Sequence, residues 1–455
     1  MSRKERKIIG PVEFTDMAYG GEAVGRHDGM VVFAYLGAVG DVATVDVTIT
    51  KKTFARGRIV DLVKPSELRT TAPCPYFGTC GGCQWQHVRY EEQLNFKRHL
   101  VEQAFERIGH LPTEVLPTLG MEDPWHYRNT MEFGFTFEGE PGLRPLRGHR
   151  IVPIEACLIS RLEINQTLDA LWQLFVREKM AEVLPHNVFI RVGDAPEQAN
   201  AGTRGHGDTE KDSSPRPPVS ASPRPQVAVG LFGHGDWPQI AERLVQDHPD
   251  LIAGVVQRKG RTSEKGRTLF GRDYTEHYLL GKRYRAGVAS FFQVNRTQTE
   301  TLIRIALSYL QPQPEDVVLD AYSGVGTFTL QLADQVRSII GVEASPAANV
   351  DARMNTSSCQ NVRLVEGNFG EVPLPVERVD GVVIDPPRGG CSPEALRALV
   401  GLSPGRIVYV SCDPTTLARD AAGLVEAGYQ LERVQPVDLF PQTYHVETVA
   451  LFLRA

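Results

Sequence analysis

VVLDAYSGVGTF, residues 317–328, joins a strand-like apolar run to a glycine turn and the start of a helix. Glycines at such a turn let a ligand approach the backbone closely at the carboxyl edge of a parallel sheet. Glu343 ends the next predicted strand, where its carboxylate is placed to bind ribose hydroxyls. The segment therefore predicts an open α/β sheet with a ligand site at one edge.

Strand-like and helical segments alternate around this turn, from Val288 onward. The alternation predicts a doubly wound α/β domain, because each parallel strand needs a crossover helix. The predicted buried strands are 317–320, 338–343, 363–366, 381–384, 406–411 and 448–453.

Residues suited to catalysis adjoin three of these strands. The segment DPPR, residues 385–388, follows the fourth strand, Cys412 follows the fifth, and His445 and Glu447 precede the last. Each has a structural alternative: a proline-stiffened loop, a buried inert cysteine, or a solvated acid. Active sites of open α/β sheets gather at the strand ends, and a thiol there is a nucleophile when its surroundings favour the thiolate.

Three of the seven cysteines, Cys74, Cys80 and Cys83, lie within ten residues on a glycine-containing loop. The odd total argues against a disulfide framework in a chain that looks intracellular. Thiolates separated by five and two residues can wrap one metal centre. The spacing alone fits zinc nearly as well as an iron–sulfur cluster, and His87 would be the fourth ligand of a zinc site.

The N-terminal 65 residues read as five short alternating strands with glycine turns. They predict a small closed barrel, which either binds an oligonucleotide or only packs. A helix is predicted over 90–108, and mixed strands and a helix follow. Residues 194–225 contain almost no bulky apolar side chain, so they predict a disordered insertion within a domain.

The composition of the 455 residues excludes wholesale disorder, since 42% are hydrophobic and 23% are charged. The longest nearly apolar run, 31–40, is far shorter than the ~20 residues of a membrane helix. The net charge of −6 gives no global attraction to nucleic acid, although 251–285 is locally basic and is either a solvated hairpin or a phosphate-contacting patch. We expect a cytoplasmic protein that has no membrane partner and is a monomer.

The glycine turn lacks the third glycine of a dinucleotide site near Thr329. Its pattern D-x-x-x-G-x-G-x-F instead resembles the first motif of S-adenosylmethionine-dependent methyltransferases. With the other motifs, the chain resembles the RNA uracil-C5 methyltransferases of the TrmA/RumA type. The segments that carry this resemblance are YRN 127–129, SFFQVN 290–295, the 320–328 loop, DPPR 385–388, SCDP 411–414 and HVET 445–448.

The resemblance implies roles for individual residues. Cys412 is the expected nucleophile that adds to carbon 6 of uracil, and Glu447 is the expected base that removes the proton from carbon 5. Thr327 stands where bacterial relatives commonly have Asn. The residues expected around S-adenosylmethionine are Gln293, Tyr322, Thr327, Glu343, Asn368 and Asp385.

The resemblance also implies a [4Fe-4S] cluster on the cysteine loop, with Cys157 as the fourth ligand after Cys74, Cys80 and Cys83. The N-terminal barrel resembles the family's TRAM domain, an RNA-binding module. Barrel and cluster together favour 23S ribosomal RNA as the substrate, with tRNA as the alternative. In either RNA the target base must leave its stack to reach Cys412.

These observations predict a three-part enzyme. An OB-like β-barrel of the TRAM type occupies 1–65, an α+β iron–sulfur central domain 66–280, and a Rossmann-like S-adenosylmethionine methyltransferase domain 281–455. The helix 90–108 is expected to pack on the catalytic domain. The rival functions are a cytosine-C5 or exocyclic-amine methyltransferase, a non-catalytic ribosome-assembly factor that binds RNA, and an iron–sulfur redox protein.

Overall fold

The computed structural model describes residues 7–178, 184–194, 226–235, 237–259 and 266–455. The predicted insertion, apart from Asp194, lies outside the described residues. Within the described ranges, no helix is long and apolar enough to cross a bilayer.

The chain begins with a closed five-stranded barrel of strand order β1-β2-β3-β5-β4, which confirms the predicted N-terminal barrel. Side chains alternate between its interior and its surface, with Val12, Phe14 and Val32 fully buried inside. The strands are β1 Lys7–Met17, β2 Ala23–His27, β3 Met30–Tyr35, β4 Val42–Thr50 and β5 Phe54–Lys64.

Helix α1, Tyr90–Ala104, follows the cysteine loop and continues into a wider turn, Phe105–Gly109. Its buried Val101 and Ala104 belong to the same apolar core as Tyr409 of the catalytic domain. Its Phe96 and Leu100 belong to the apolar core of the barrel. The helix therefore lies between the barrel and the catalytic domain.

A seven-stranded sheet of order β12-β11-β10-β9-β6-β7-β8 forms the central part of the molecule. Strands β9 and β10 are antiparallel neighbours in which Val192 pairs with Val227, so residues 195–225 connect two adjacent strands of one sheet. The elements are β6 Thr130–Phe135, β7 Pro141–Leu143, β8 Val152–Pro153, α2 Leu162–Trp172, β9 Asn187–Val192, β10 Val227–Phe232, α3 Pro238–Asp247, β11 Ile252–Arg258 and β12 Arg267–Gly271.

A hairpin of β13, Tyr274–Leu279, and β14, Lys282–Gly287, leads into the catalytic domain. Its Leu279 and Tyr284 are buried in the same apolar core as Phe328. The predicted boundary after residue 280 thus falls inside a hairpin that packs with the catalytic domain.

The catalytic domain is a seven-stranded sheet of order β17-β16-β15-β18-β19-β21-β20, the expected Rossmann-like methyltransferase fold. Strand order reverses between β15 and β18, and ligands of such sheets bind at the carboxyl ends beside this switch. The elements are α4 Arg296–Leu310, β15 Val317–Ala321, α5 Thr327–Leu332, β16 Ser338–Glu343, α6 Pro346–Asn355, β17 Val362–Glu366, β18 Gly381–Ile384, α7 Pro393–Gly401, β19 Arg406–Ser411, α8 Pro414–Glu426, β20 Tyr429–Val437 and β21 Glu447–Arg454.

Candidate active site

Cys412 and Glu447 lie opposite one another at the edge of the catalytic sheet. Strands β19 and β21 are antiparallel, and Ser411 pairs with Thr448 at the end of their ladder. The next residue outward on each strand is Cys412 on one and Glu447 on the other. Asp385 follows β18, the other neighbour of β19, so the thiol and both carboxylates converge at one point.

The Cys412 thiol is half-buried and its surroundings favour the protonated form. Burial raises its pKa to about 12, and the carboxylates of Glu447 and Asp385 add to the rise. The guanidinium of Arg388 acts in the opposite direction. At neutral pH the free protein therefore holds this thiol mainly in its protonated form, with a small thiolate fraction.

The two carboxyl groups beside the thiol are also shifted toward protonation. Glu447 is only 4% exposed, and its burial together with the charge of Asp385 holds its pKa well above the ordinary value. Burial and the charge of Asp320 raise the pKa of Asp385 to about 7. A carboxylate with a raised pKa is a stronger base once it has ionised, which suits proton abstraction near neutral pH.

The helix after the nucleophile candidate is capped by the chain itself. Asp413 is the N-cap of α8, and its Oδ1 accepts a hydrogen bond from the backbone N–H of Thr415 at 2.8 Å. Pro414 follows as the first helical residue, a position that tolerates proline because no intrahelical N–H is lost. The cap fixes the start of α8, so Cys412 lies between the end of β19 and this N-cap.

The glycine turn after β15 is held by the acidic residue that ends β16. Gly324 donates its backbone N–H to Glu343 Oε2 at 2.8 Å, and Ser345 donates to Oε1 at 2.6 Å. Gly326 has φ of +86° and Tyr322 has φ of +66°, so the backbone turns sharply away from the strand. Glu343 thus shapes the turn in addition to lying where a ribose would bind.

Buried polar atoms without partners at this turn fit S-adenosylmethionine. Asp320 is fully buried, and its Oδ2 accepts from the backbone and hydroxyl of Thr329. Its Oδ1, like the hydroxyl of Ser323, has no hydrogen-bond partner among the described residues. A ligand with an ammonium group and ribose hydroxyls supplies donors of the kind that these atoms lack.

The other expected ligand contacts spread along the same sheet edge. Tyr322 follows β15 directly, Thr327 is the first residue of α5, and Asn368 is exposed two residues beyond β17, where it donates to Glu371 at 2.9 Å. Gln293 instead lies in the approach to α4, and its carbonyl accepts from the Asn129 side chain of the central domain at 3.1 Å. The structure therefore brings Tyr322 and Asp385 together on adjacent strands and places Asn368 farther out.

Three residues of this site were absent from the predicted set. Asp320 and Arg388 stood inside quoted motifs, so the motif itself could have indicated them. Tyr19 of the barrel gave no local signal, yet its hydroxyl lies 3.5 Å from the carbonyl oxygen of Cys412.

The aromatic residues in the motifs that carry the family resemblance are of two kinds, buried in the core or exposed on the surface. Phe292 is 4% exposed and packs on His277 with ring centroids 4.4 Å apart, whereas Phe291 is 69% exposed. Tyr127 is buried and donates to the carbonyl of Pro441 at 3.0 Å. Phe291 is thus the member of this group that is free to contact a ligand.

Cys74, Cys80, Cys83 and Cys157 line a single cavity of about 690 Å³ between the cysteine loop and the central sheet. Burial raises the pKa of Cys83 to about 12 and that of Cys80 to about 11, and the neighbouring thiols add to both rises. Four thiols that repel one another as thiolates fit a cationic group, whose charge would stabilise all four.

The remaining zinc candidate, His87, does not line this cavity. Its Nε2 lies 3.0 Å from the carbonyl oxygen of Gly37 in the barrel. In the described part of the chain, no group of three or more His, Cys, Asp or Glu side chains is arranged to hold a single metal ion.

Comparison with known proteins gives consistent findings. A family model described as tRNA (Uracil-5-)-methyltransferase matches residues 368–455, and a general methyltransferase-domain model matches residues 318–400. An uncharacterized RNA methyltransferase of Caldanaerobacter subterraneus is 34% identical, with 97% of each chain covered. A second, from Gloeobacter violaceus, is also 34% identical and covers 98% of this chain and 96% of its own.

A solved structure matches the whole architecture. The tRNA (uracil-54, C5)-methyltransferase of Pyrococcus abyssi, in complex with S-adenosyl-L-homocysteine, superposes with a TM-score of 0.72 at 25% identity. The match covers 97% of this chain and 100% of the Pyrococcus chain.

Proposed function

Because the chain belongs to the TrmA/RumA-type family of RNA uracil-C5 methyltransferases, we propose that it methylates carbon 5 of a specific uridine in 23S ribosomal RNA. The observation that carries the proposal is the convergence of Cys412, Glu447 and Asp385 beside the glycine turn. A thiol and a base on opposite strands can act on the two neighbouring ring carbons of one uracil.

Carbon 5 of uracil is a poor nucleophile until a thiolate adds to carbon 6. The sulfur of Cys412 forms the new bond, and the electrons of the carbon 5–carbon 6 double bond move to carbon 5 and the O4 enolate. Arg388 lowers the pKa of this thiol, so its charge favours the required thiolate. S-adenosylmethionine, when bound, supplies a methyl group on a positively charged sulfur.

Methylated carbon 5 still carries its proton, and Glu447 is the residue placed to remove it. The proton moves to the Glu447 carboxylate, the double bond re-forms, and the bond between carbon 6 and Cys412 breaks. Burial and Asp385 raise the pKa of Glu447, which strengthens it as a base and leaves it protonated after the transfer. Asp320, Tyr322, Glu343 and Gln293 are the proposed contacts of the methyl donor, with Thr327, Asn368 and Asp385 completing the expected set.

The cysteine cavity supports a [4Fe-4S] cluster more than a zinc ion. All four ligands of a zinc site must lie about 2.0–2.3 Å from one ion, whereas among the described residues no three such side chains are arranged around one ion position, although all four cysteines line one cavity. We assign Cys74, Cys80, Cys83 and Cys157 to the cluster. Methyl transfer moves no electron to an acceptor, so we assign the cluster to structure or RNA positioning.

The barrel supports an RNA-binding role for the proposed N-terminal domain, residues 1–65. The Arg56 guanidinium lies over the ring of Phe33 at 5.2 Å, and Arg147 of the central domain lies over Tyr35 at 4.4 Å. Arginine and aromatic surfaces of this kind bind single-stranded RNA by stacking and charge. By the family resemblance, the barrel and the cluster cysteines favour the ribosomal substrate. Archaeal tRNA enzymes can share this architecture, since the match to the Pyrococcus enzyme covers 97% of this chain.

The second candidate substrate is tRNA, favoured by the Pyrococcus match and by the description of the family model. Both substrates use the same chemistry at Cys412, so the RNA must be distinguished directly. A non-catalytic assembly factor would bind RNA and leave every methyl group in place.

The test is mass mapping of 5-methyluridine in 23S ribosomal RNA and bulk tRNA from cells with and without the gene. Complementation uses the wild type, Cys412→Ala, and Cys359→Ser as a matched cysteine control. We expect a ribosomal site to lose its methyl group in the deletion and to regain it with the wild type and Cys359→Ser only. Loss in tRNA alone would overturn the ribosomal assignment, and unchanged methylation everywhere would overturn the enzymatic proposal.

A further inference from the structure

A row of aromatic side chains runs from the barrel into the catalytic loop. The rings of Tyr19 and Tyr444 meet edge to face with centroids 5.3 Å apart. Tyr444 and His445 lie 4.2 Å apart at 37°, and His445 lies 5.8 Å from Phe440. The row therefore connects the first barrel turn to the segment that carries Glu447.

Tyr19 is held at the tip of the connection between β1 and β2. Gly21 adopts φ of +84°, and a Cβ atom there would lie 2.9 Å from the Gln84 side chain and 3.3 Å from Tyr444. The indole of Trp85 donates to the carbonyl of Gly21 at 3.3 Å. Only a glycine lets this tip approach the catalytic loop so closely, and Tyr19 is thereby brought to the Cys412 backbone.

Tyr19, Tyr444 and His445 are half-buried, so part of each ring remains accessible. His445 is neutral at physiological pH, since burial and the nearby Arg388 lower its pKa to about 4. Arg388 itself is exposed. Partly open aromatic rings next to an exposed guanidinium form the combination that binds a nucleotide through its base and its phosphate.

Tyr19 and Glu447 approach Cys412 in different ways. Glu447 lies across the β19–β21 ladder, whereas Tyr19 reaches the Cys412 carbonyl from the barrel. When an RNA strand presents one base to the thiol and to Glu447, the adjoining base of that RNA lies beside the barrel face.

We propose that Tyr19 and Tyr444 form a stacking wall for the nucleobase adjoining the target uridine, so that the barrel contributes a binding residue to the active site. This inference rests on the proposed function and deepens it. It makes the barrel part of substrate selection at the nucleotide level, beyond a general attraction to RNA.

The test uses the RNA identified by the methylation mapping, with 2-aminopurine placed immediately 5′ or 3′ of the target. Stacking on an aromatic ring quenches the fluorescence of this base. We expect quenching at one of the two positions with the wild type and with Tyr19→Phe, which keeps the ring. Tyr19→Leu, which keeps apolar bulk, should lose the quenching and weaken RNA binding about tenfold.

The matched control is His99→Ala, which removes a different contact with the barrel, the one between His99 Nε2 and Asp16 Oδ1 at 3.1 Å. It should keep the quenching and the affinity, and melting curves verify that each variant is folded. Tyr444→Leu is the second test of the wall and should behave as Tyr19→Leu does. Equal quenching and affinity in both leucine variants and the wild type would overturn the inference.

Trapping with 5-fluorouridine separates this result from the proposed function. Fluorine at carbon 5 cannot be removed by Glu447, so the covalent Cys412 adduct persists. An adduct in the wild type with no effect of Tyr19→Leu rejects the stacking wall alone. A wild type that traps no RNA, while Tyr19→Leu leaves RNA affinity unchanged, rejects both proposals.

Discussion

Cys412 and Cys83 are both thiols whose pKa is raised to about 12, yet they stand in different surroundings. Cys412 is flanked by the carboxylates of Glu447 and Asp385 and by the cation of Arg388. Cys83 shares a cavity with three other thiols. A raised pKa by itself therefore does not reveal what a cysteine does, and its neighbours decide.

The residues around Cys412 and those around Cys83 predict different chemical uses of the two thiols. A lone thiol beside a base is suited to form and release a covalent bond, because the base can remove the proton that traps the adduct. Four neighbouring thiols, which repel one another when they are ionised to thiolates, are suited to a permanently bound cationic group. The variants below separate these two uses of cysteine, in order of decreasing expected effect.

Glu447→Gln should reduce turnover, measured as release of methylated RNA, by about 10²- to 10⁴-fold, the usual contribution of a general base. The adduct should still form, because Cys412 is intact, and a protein–RNA species should accumulate on denaturing gels. Cys412→Ala forms no such species and is the control. A Glu447→Gln enzyme with normal turnover would remove Glu447 from the mechanism.

Cys83→Ser should empty the cysteine cavity of iron while leaving Cys412 in place. We expect loss of the visible iron–sulfur absorbance. We also expect the melting temperature to fall by about 5 °C or more, because the bound cluster no longer stabilises the folded protein by a few kcal/mol. Iron analysis and calorimetry of anaerobically purified protein measure both. Cys359→Ser should retain the iron, and zinc instead of iron in the wild type would contradict the cluster.

Arg388→Leu should slow alkylation of Cys412 by iodoacetamide about two- to fivefold at a fixed pH. Removing the cation raises the thiol pKa and so lowers the thiolate fraction, while the more basic thiolate offsets part of the loss. In both proteins the rate should rise with pH across 7 to 9, because the pKa of about 12 lies above this range.

Peptide mass analysis reports the modification of Cys412 specifically. The exposed Arg378, changed to Leu, serves as the control and should react as the wild type does. A faster reaction in Arg388→Leu would show that this guanidinium does not favour the thiolate.

Replacement of residues 195–225 by a short glycine–serine linker should leave methylation within about twofold of the wild type. The flanking strands are adjacent, and Gly193 donates its backbone N–H to the carbonyl of Gln226 at 2.9 Å, so a short turn can close them. Asp194 is retained because it pairs with Arg161 at 2.9 Å. A large loss of turnover, measured with the mapped RNA, would assign a function to the insertion.

The local sequence pattern was sufficient to predict the domains and their order along the chain. Alternation at period two predicted the barrel strands, and the strand–turn–helix pattern at 317–328 predicted the methyltransferase fold. Cys412 could be named because it follows a buried strand, and the cysteine loop because three thiols share ten residues. The resemblance to a known family added Glu447 and Cys157, which no spacing rule identifies.

Only the tertiary structure decided which distant elements of the chain pack against one another. Helix α1 packs on the catalytic core and its Lys97 forms a fully buried ion pair with Asp438, 341 residues later in the chain. Tyr19 reaches the backbone of Cys412 across 393 residues. Periodicity reports only which face of an element is buried, and it carries no information about the partner.

The sequence by itself therefore determined the elements, the fold class and the reactive residue types, because these depend on interactions between near neighbours in the chain. Only the folded structure set the pairing of Ser411 with Thr448, which places Cys412 opposite Glu447, and the approach of the barrel to that site. These arrangements arise from strand register and domain packing, which are properties of the whole chain.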